Sequence, residues 1–451
     1  MKTFLDWSAY QESGTGDPYA DIPKTGGNFA KAVAVCIGSG LCERDNKGVM
    51  CPSYKISQNS HYSTGGRVKL LKAALNGKLG ELPFNDASLA ETMDLCVSCK
   101  GCKRECENEV DMALLKAEYL AQRLQLQKPP LRTVLWAGLP RLLTHSHWLK
   151  KLVQLRNGSE LIAKLLEKTL KVTAKQPLPV LAEKSFLQTA QSQPIESQHS
   201  EKSPVVLFVD TFNNYFNPEV ADAAVKVLQA AGYAVKIAQP SAEQAEPERP
   251  LCCGRTYFSN GMIDKARFEA QRLLTVLLPE VEAGAVIIGL EPSCILSLRD
   301  EYLTLGLGEG AKKLAANVLL LEEFIAKEHT AKRWQLEFKA WQQTEKLLVH
   351  GHCHQKAVGA MKAMRKVLRL IPQLDFEILD TSCCGMAGHF GYEAEHYQAS
   401  QQMAELALYP ALRAQANAKV LANGFSCQQQ IQHCDNQPKP LHIAQLLAAA
   451  V

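Results

Sequence analysis

The stretch Cys96-Val-Ser-Cys99-Lys-Gly-Cys102-Lys-Arg-Glu-Cys106 constrains this chain more than any other. Its C-x2-C-x2-C-x3-C spacing lets one short looping segment offer three thiolates to corners of a four-iron cube, while the fourth cysteine reaches a second cube. That geometry implies a partner run elsewhere. Upstream stand Cys36-Ile-Gly-Ser39-Gly-Leu-Cys42 and then Cys51-Pro52. Structural zinc is the alternative use of such thiols. Four cysteines at this spacing favour iron–sulfur clusters.

The spacing assigns Cys96, Cys99, Cys102 and Cys51 to one ferredoxin-type 4Fe-4S cluster, and Cys36, Cys42 and Cys106 to the other. Ser39 stands where the pattern expects a cysteine. The second cluster is therefore either 3Fe-4S or a four-iron cluster completed by an oxygen, a water or a histidine. Ser39 and the remote His61 are the candidates for that extra ligand.

Fifteen cysteines in 451 residues do not read as a secreted disulfide scaffold, because the chain is long, the count is odd and the cysteines cluster like ligands. The N-terminus has no leader-like apolar run, and no stretch approaches a membrane span, so a cytoplasmic setting is expected. The net charge of +4 hides a local excess: residues 128–175 carry ten Lys/Arg against two Glu, leaving −4 for the rest. No nucleic-acid partner is expected.

Composition and periodicity divide the chain into six segments. Residues 1–30 read as an extended arm, and 31–127 as an α-helical module for two clusters, with helices over 66–75 and 112–127. Residues 128–184 read as basic amphipathic helices carrying Trp136 and Trp148. Within them 131–175 is either a peripheral surface against anionic lipid of the inner membrane or a collar docked on another domain. Residues 185–203 read as a linker. Residues 204–330 and 331–451 then repeat one order of strand, helix, strand, Cys-Cys-Gly, helix, strand, cysteine. Alternating strands and helices predict two α/β units with parallel sheets, so the fold class is α+β and multidomain.

The repeat offers a second constellation: Cys252, Cys253 and Cys294 from one copy, and Cys353, Cys383, Cys384 and Cys427 from the other. Adjacent cysteines can both face one metal when Gly254 or Gly385 relaxes the backbone. Thiolates in this number suit an iron–sulfur cluster, zinc or iron. Phe212 is read as the counterpart of Cys353, and Gln430 stands where the final Cys-x-x-Cys of the heterodisulfide reductases, which this repeat resembles, would close. One composite site filled chiefly by the second copy is therefore expected. Cys434 has no place in the pattern. His352, His354 and His389 are the candidates for ligands or acid–base groups.

The two Cys-Cys-Gly units, with Glu291-Pro-Ser-Cys294 and Gly424-Phe-Ser-Cys427, resemble the cysteine-rich (CCG) domains of the heterodisulfide reductases. They also resemble the iron–sulfur subunits of glycolate oxidase and of anaerobic glycerol-3-phosphate dehydrogenase. Gly48-Val-Met-Cys51-Pro-Ser-Tyr54 and His61-Tyr-Ser-Thr-Gly-Gly-Arg67 are similar to the C-terminal half of flavin/iron–sulfur D-2-hydroxyacid dehydrogenases, which oxidise D-lactate or D-2-hydroxyglutarate. This chain shows no flavin-binding half and no Gly-rich dinucleotide fingerprint. The resemblance thus implies an electron-transfer subunit that takes electrons from an FAD-containing partner and passes them toward a quinone-like acceptor. Two other functions stand beside it: a thiol/disulfide reductase working at the Cys-Cys-Gly cysteines, and a catalytic metal centre built on the three histidines.

Overall fold

The computed structural model describes every residue except 45–47, 193–201, 203 and 435–436. Two small sheets organise the C-terminal half. The first contains β1 (Val205–Phe208), β2 (Val235–Ile237), β3 (Val286–Gly289) and β4 (Val318–Leu320) in the order β2-β1-β3-β4. The second contains β5 (Leu347–Val349), β6 (Phe376–Ile378) and β7 (Lys419–Leu421) in the order β6-β5-β7. All pairings are parallel. The central strands, VVLF and LLV, are buried along their whole length, as helices on both faces require.

An isolated parallel bridge, Leu421 to Leu441, stands where β4 stands in the first sheet. Each fourth position feeds a closing helix, Leu321–Thr330 in the first unit and Ile443–Ala449 in the second. These closing helices are exchanged. Leu321–Thr330 packs on Met361–Leu368 of the second unit, and Ile443–Ala449 packs on Pro218–Ala230 of the first. One core joins them, with Val220, Ala224 and Val227 beside Ile443 and Leu447, and Phe324 with Met364 and Val367.

The cysteine-bearing N-terminal module is helical. Thr64–Leu75, Ala87–Asp94 and Met112–Leu126 begin on Ser63, Asp86 and Asp111, whose side chains accept from Gly66 N, Leu89 N and Leu114 N. Each such cap satisfies an amide left without a partner in the first turn.

Several sequence expectations need correction. The 1–30 arm, expected to be extended, holds a helical turn at Ser8–Tyr10 and is anchored on the helical module. Glu118, wholly buried, accepts from Phe4 N at 3.0 Å, Leu5 N at 3.0 Å and Trp7 Nε1 at 3.2 Å. Part of the 185–203 linker is helical over Phe186–Ser192, with Phe186 and Leu187 buried; most of its remainder lies outside the described residues. The helical stretch after Cys384 is two helices, Tyr397–Glu405 and Leu408–Ala414, because Pro410 has no N–H to continue the first. β4 and the helix after it were not expected.

The basic stretch forms the helices Leu131–Ala137, Leu139–Leu142, Ser146–Gly158 and Glu160–Leu170. Trp136 turns inward, its ring parallel to that of His389 at 5.9 Å. Trp148, Leu152, Leu155, Leu161 and Leu165 face outward and are more than half exposed. No described helix is long and apolar enough to cross a membrane.

Candidate metal centres and the contact between them

Cys51, Cys96, Cys99 and Cys102 line one cavity together with Ser53, Thr64, Arg67 and Met112. Backbone geometry makes the loop that carries them. Ser98 and Lys100 adopt φ of 49° and 59°, and Cys51 adopts 56°. Left-handed residues alternating with right-handed ones turn successive N–H groups toward one point, a concavity suited to an anionic cluster. Non-glycine residues hold such angles only where their surroundings enforce them.

Gly101 brings the two cysteine loops together. A Cβ there would lie 2.8 Å from Met50 N and 2.9 Å from Met50 Cα. Glu105, one helical turn on, clamps the same strand by accepting from Val49 N at 2.7 Å and Met50 N at 2.8 Å. Cys51 is thereby pressed against the Cys99–Cys102 turn.

Arg67 tests whether this cavity fits a cluster. Its side chain is 1% exposed, yet it makes no ion pair among the described residues. It donates instead to Thr92 O at 2.8 Å, Ser53 Oγ at 2.9 Å and Cys51 Sγ at 3.8 Å. A buried guanidinium without a carboxylate requires another anion. Four thiolates around an iron–sulfur cluster would supply it. Burial pushes the Cys96 thiol up, but Arg67 and Lys116 outweigh that and hold it below its ordinary value.

Cys36, Cys42 and Cys106 are half-buried at the margin of the same core. Cys42 Sγ accepts from Gly65 N at 3.3 Å. Ser39 is exposed, flanked by Gly38 and Gly40 at φ of 77° and 71°. His61 packs its ring edgewise on Tyr62 at 5.0 Å and joins no group of candidate metal ligands among the described residues.

In the α/β units the cysteines lie beyond the carboxyl ends of the strands. Cys253 lies close enough to Cys252 and Cys294 for the thiols to shift one another's pKa. Cys353, Cys383, Cys384 and Cys427 form a longer row of the same kind. Gly254 and Gly385 have φ of 79° and 91°, and a Cβ would strike Ala266 O at 2.8 Å and Ser400 O at 2.2 Å. Both positions therefore require glycine. The Cys253 thiol pulls Cys294 down, but burial pushes it up to about 12. Burial, reinforced by Glu291, likewise pushes Asp210 up to about 6. Thiols and acids so far from water ionise only with a cation beside them.

Register corrects one alignment. Val205 pairs with Val286 and Leu347 with Lys419, and Cys294 and Cys427 stand equally far beyond those partners. Counted from Val205 and Leu347, the counterpart of Cys353 is Thr211, not Phe212. By the same count Phe208 matches His350.

The module and the second unit meet at their cysteines. Cys99, Cys383 and Val49 form a buried cluster, with Cys353 packed against it. Ser382 Oγ donates to Val49 O at 3.2 Å, and His354 Nε2 lies 3.1 Å from Ser98 O. The first unit docks alongside through Lys100, whose ammonium is 2.6 Å from both Asp300 and Glu301.

The three candidate histidines do not converge as one metal centre. His352 and His354 lie edge to face at 5.0 Å, whereas His389 pairs with Glu393 at 3.2 Å and stacks on Trp136. A residue the spacing did not single out is His350, grouped with Cys384 and Cys427. Glu393, Glu395 and His396 make a second such group, but Arg132 already pairs with both carboxylates.

The fold and its cysteines define an iron–sulfur protein. A family model described as a 4Fe-4S dicluster domain matches residues 32–110, the segment that holds the seven N-terminal cysteines. The chain is 26% identical over 446 residues to D-2-hydroxyglutarate dehydrogenase of Escherichia coli (strain K12), covering 89% of this chain and 42% of that protein. It is 27% identical over 256 residues to the C subunit of anaerobic glycerol-3-phosphate dehydrogenase of the same organism, covering 53% of this chain and 57% of that one. Lactate utilization protein A 2 of Bacillus cereus (strain Q1) is 24% identical over 194 residues, covering 41% and 73%. The chain thus spans less than half the length of the D-2-hydroxyglutarate dehydrogenases it matches. No solved structure matches.

Proposed function

We propose that this chain is the electron-transfer component of a flavin-dependent D-2-hydroxyacid dehydrogenase. An FAD-containing partner takes the hydride from the substrate carbon, and this chain carries the electrons onward to a quinone-like acceptor. The observation that carries the reading is the burial of Cys99, a ligand of the better-defined cluster, against Cys353 and Cys383. Cys51, Cys96, Cys99 and Cys102 would hold one iron–sulfur cluster and Cys36, Cys42 and Cys106 the other, and such clusters would supply the one-electron steps that split a two-electron flavin. The residues around them hold the loops, supply Arg67 as counter-charge and exclude water. The α/β units belong to the CCG class and bring their cysteines to the outlet.

The exposed apolar side chains of 146–170 lie among lysines, with Lys151 over the Trp148 ring at 5.8 Å. They support peripheral contact with an anionic bilayer from the cytoplasmic side.

The test is purification without oxygen, with iron and sulfide counts, electron paramagnetic resonance and a search for a co-purifying flavoprotein. Cys99→Ser should lose one cluster's iron and all electron transfer from the flavin to a quinone analogue. Unchanged iron in that variant sinks the reading.

A further inference from the structure

We propose that Phe212, Phe216 and Phe425 form the platform on which the ring of a quinone stacks, at the edge of the crevice that holds Cys427. The inference rests on the electron-transfer reading for its source of electrons and gives that reading an exit. Phe212 and Phe216 belong to the first unit, on and just after the helix Thr211–Tyr215 that follows β1. Phe425 opens the helix that follows β7 in the second unit, two residues before Cys427. The rings thus meet outside the carboxyl ends of both sheets, where parallel sheets take their ligands.

Phe212 lies nearly parallel to Phe425, with centroids 5.0 Å apart and planes inclined by 20°, and Phe216 closes on Phe425 at 5.1 Å. Rings at this spacing prefer offset stacks, and a planar quinone extends such a stack. Phe425 is 8% exposed, whereas Phe212 and Phe216 are half-buried and keep part of each ring open to solvent. Two buried carboxylates fix the rings from behind. Asp210 accepts from Phe212 N at 2.9 Å, and Glu291 accepts from Phe425 N at 2.7 Å. A platform pinned from both units is in place before its ligand arrives, which lowers the cost of binding.

His352 supplies the polar contact. Its ring lies against Gly424, where a Cβ would sit 2.3 Å from Cδ2 and 3.2 Å from Nε2. Nδ1 accepts from His354 N at 3.1 Å, so the ring proton is on Nε2, which donates to no described residue. An N–H beside the Phe425 backbone suits a quinone carbonyl, which only accepts. On the other side, Phe216 packs with Leu139 and Leu149 around Leu143, Leu181 and Tyr215. Leu139 and Leu149 stand on the basic helices that also expose Trp148, Leu152 and Leu155. An apolar tail on the ring therefore has an apolar route outward. In the reduction, two electrons delivered one at a time and two protons from water join the two carbonyl oxygens to give hydroquinone. The partner's reduced flavin returns to FAD and releases two protons.

The experiment uses the full chain purified without oxygen and two probes, decylubiquinone and an azido-ubiquinone. Photolabelling with the azido-ubiquinone should mark the peptides that carry 212–216 and 424–427, and decylubiquinone should compete the label away. In the dithionite-reduced chain, Phe212→Leu should raise the decylubiquinone concentration for half-maximal cluster reoxidation about tenfold. Its iron content and its reoxidation by ferricyanide, which needs no ring face, should stay as they are. Label confined to other segments, no competition, or an unaltered concentration dependence in Phe212→Leu overturns the proposal. If the variant does not fold, labelling of the unaltered chain decides by itself. A chain labelled at these peptides that takes electrons from no flavoprotein keeps the quinone site and loses the electron-transfer reading. One that a flavoprotein reduces but that is labelled elsewhere does the reverse.

Discussion

Lys100 sets its ammonium 2.6 Å from the Glu301 carboxylate, joining the turn between Cys99 and Cys102 to the first α/β unit. Both side chains are almost wholly buried, and Asp300 completes the pair from the other side. Breaking a buried pair strands a charge, which costs about 3–5 kcal/mol. Arg255 and Lys103 remain to pair the acids, so Lys100→Met should cost about 3 kcal/mol, the lower end of that range. Chemical denaturation of the cluster-loaded chain measures it, and an unchanged midpoint would count against a structural role.

Gly101 has no room for a methyl group against Val49 and Met50. Gly101→Ala should push Cys51 off the Cys99–Cys102 turn and lower iron content by about half, since one of two clusters is lost. Gly158, where an added methyl would meet nothing within 4 Å, is the control whose alanine variant keeps its iron.

Arg67 places a positive charge and an N–H beside Cys51. Positive charge favours the reduced, more negative cluster. Arg67→Met should therefore lower that cluster's midpoint potential by on the order of tens of millivolts and leave the other unmoved. Redox titration followed by electron paramagnetic resonance reads both, and a shift upward would refute the placement.

His396 bridges the cluster module and the second unit, 2.9 Å from Asp94 and 2.7 Å from Glu393. Burial pulls its pKa down, but the two carboxylates outweigh it and raise it to about 9 from 6.5. A raised histidine pKa contributes stability that is full below pH 6.5 and fades as pH climbs through 9. The loss across that window should be about 3 kcal/mol. His396→Gln should flatten the alkaline limb of a stability–pH curve; an identical limb in both proteins would rule out this source.

What the sequence shows and hides follows from chemistry at particular residues. Cys96–Cys106 is legible because a cube fixes its ligand spacing, and the apolar runs VVLF, VIIG and LLV announce buried parallel strands. β4 stays hidden because Val318–Leu320 runs directly into a helix, with one apolar string serving both. The bridge at Leu441 is shorter still. His350 is masked by His352 and His354, which share its segment, and only the strand register separates them. Phe212 is read in place of Thr211 because sequence does not mark where the first strand of each copy starts; the register sets both Thr211 and Cys353 six residues beyond Val205 and Leu347. Sequence leaves Trp136 either facing lipid or docked on another domain, and His389 and Tyr392, distant in sequence, draw it inward.

The exchanged closing helices give the duplicated half an unexpected resilience. Residues 342–345, on the only covalent path between the units, are exposed. A protease cut there would leave each fragment clasping the other through the helices it lends, much as complementing pieces of a split protein reassemble. The two units share one fate in unfolding, and the crevice they frame survives a nick that a string of separate beads would not.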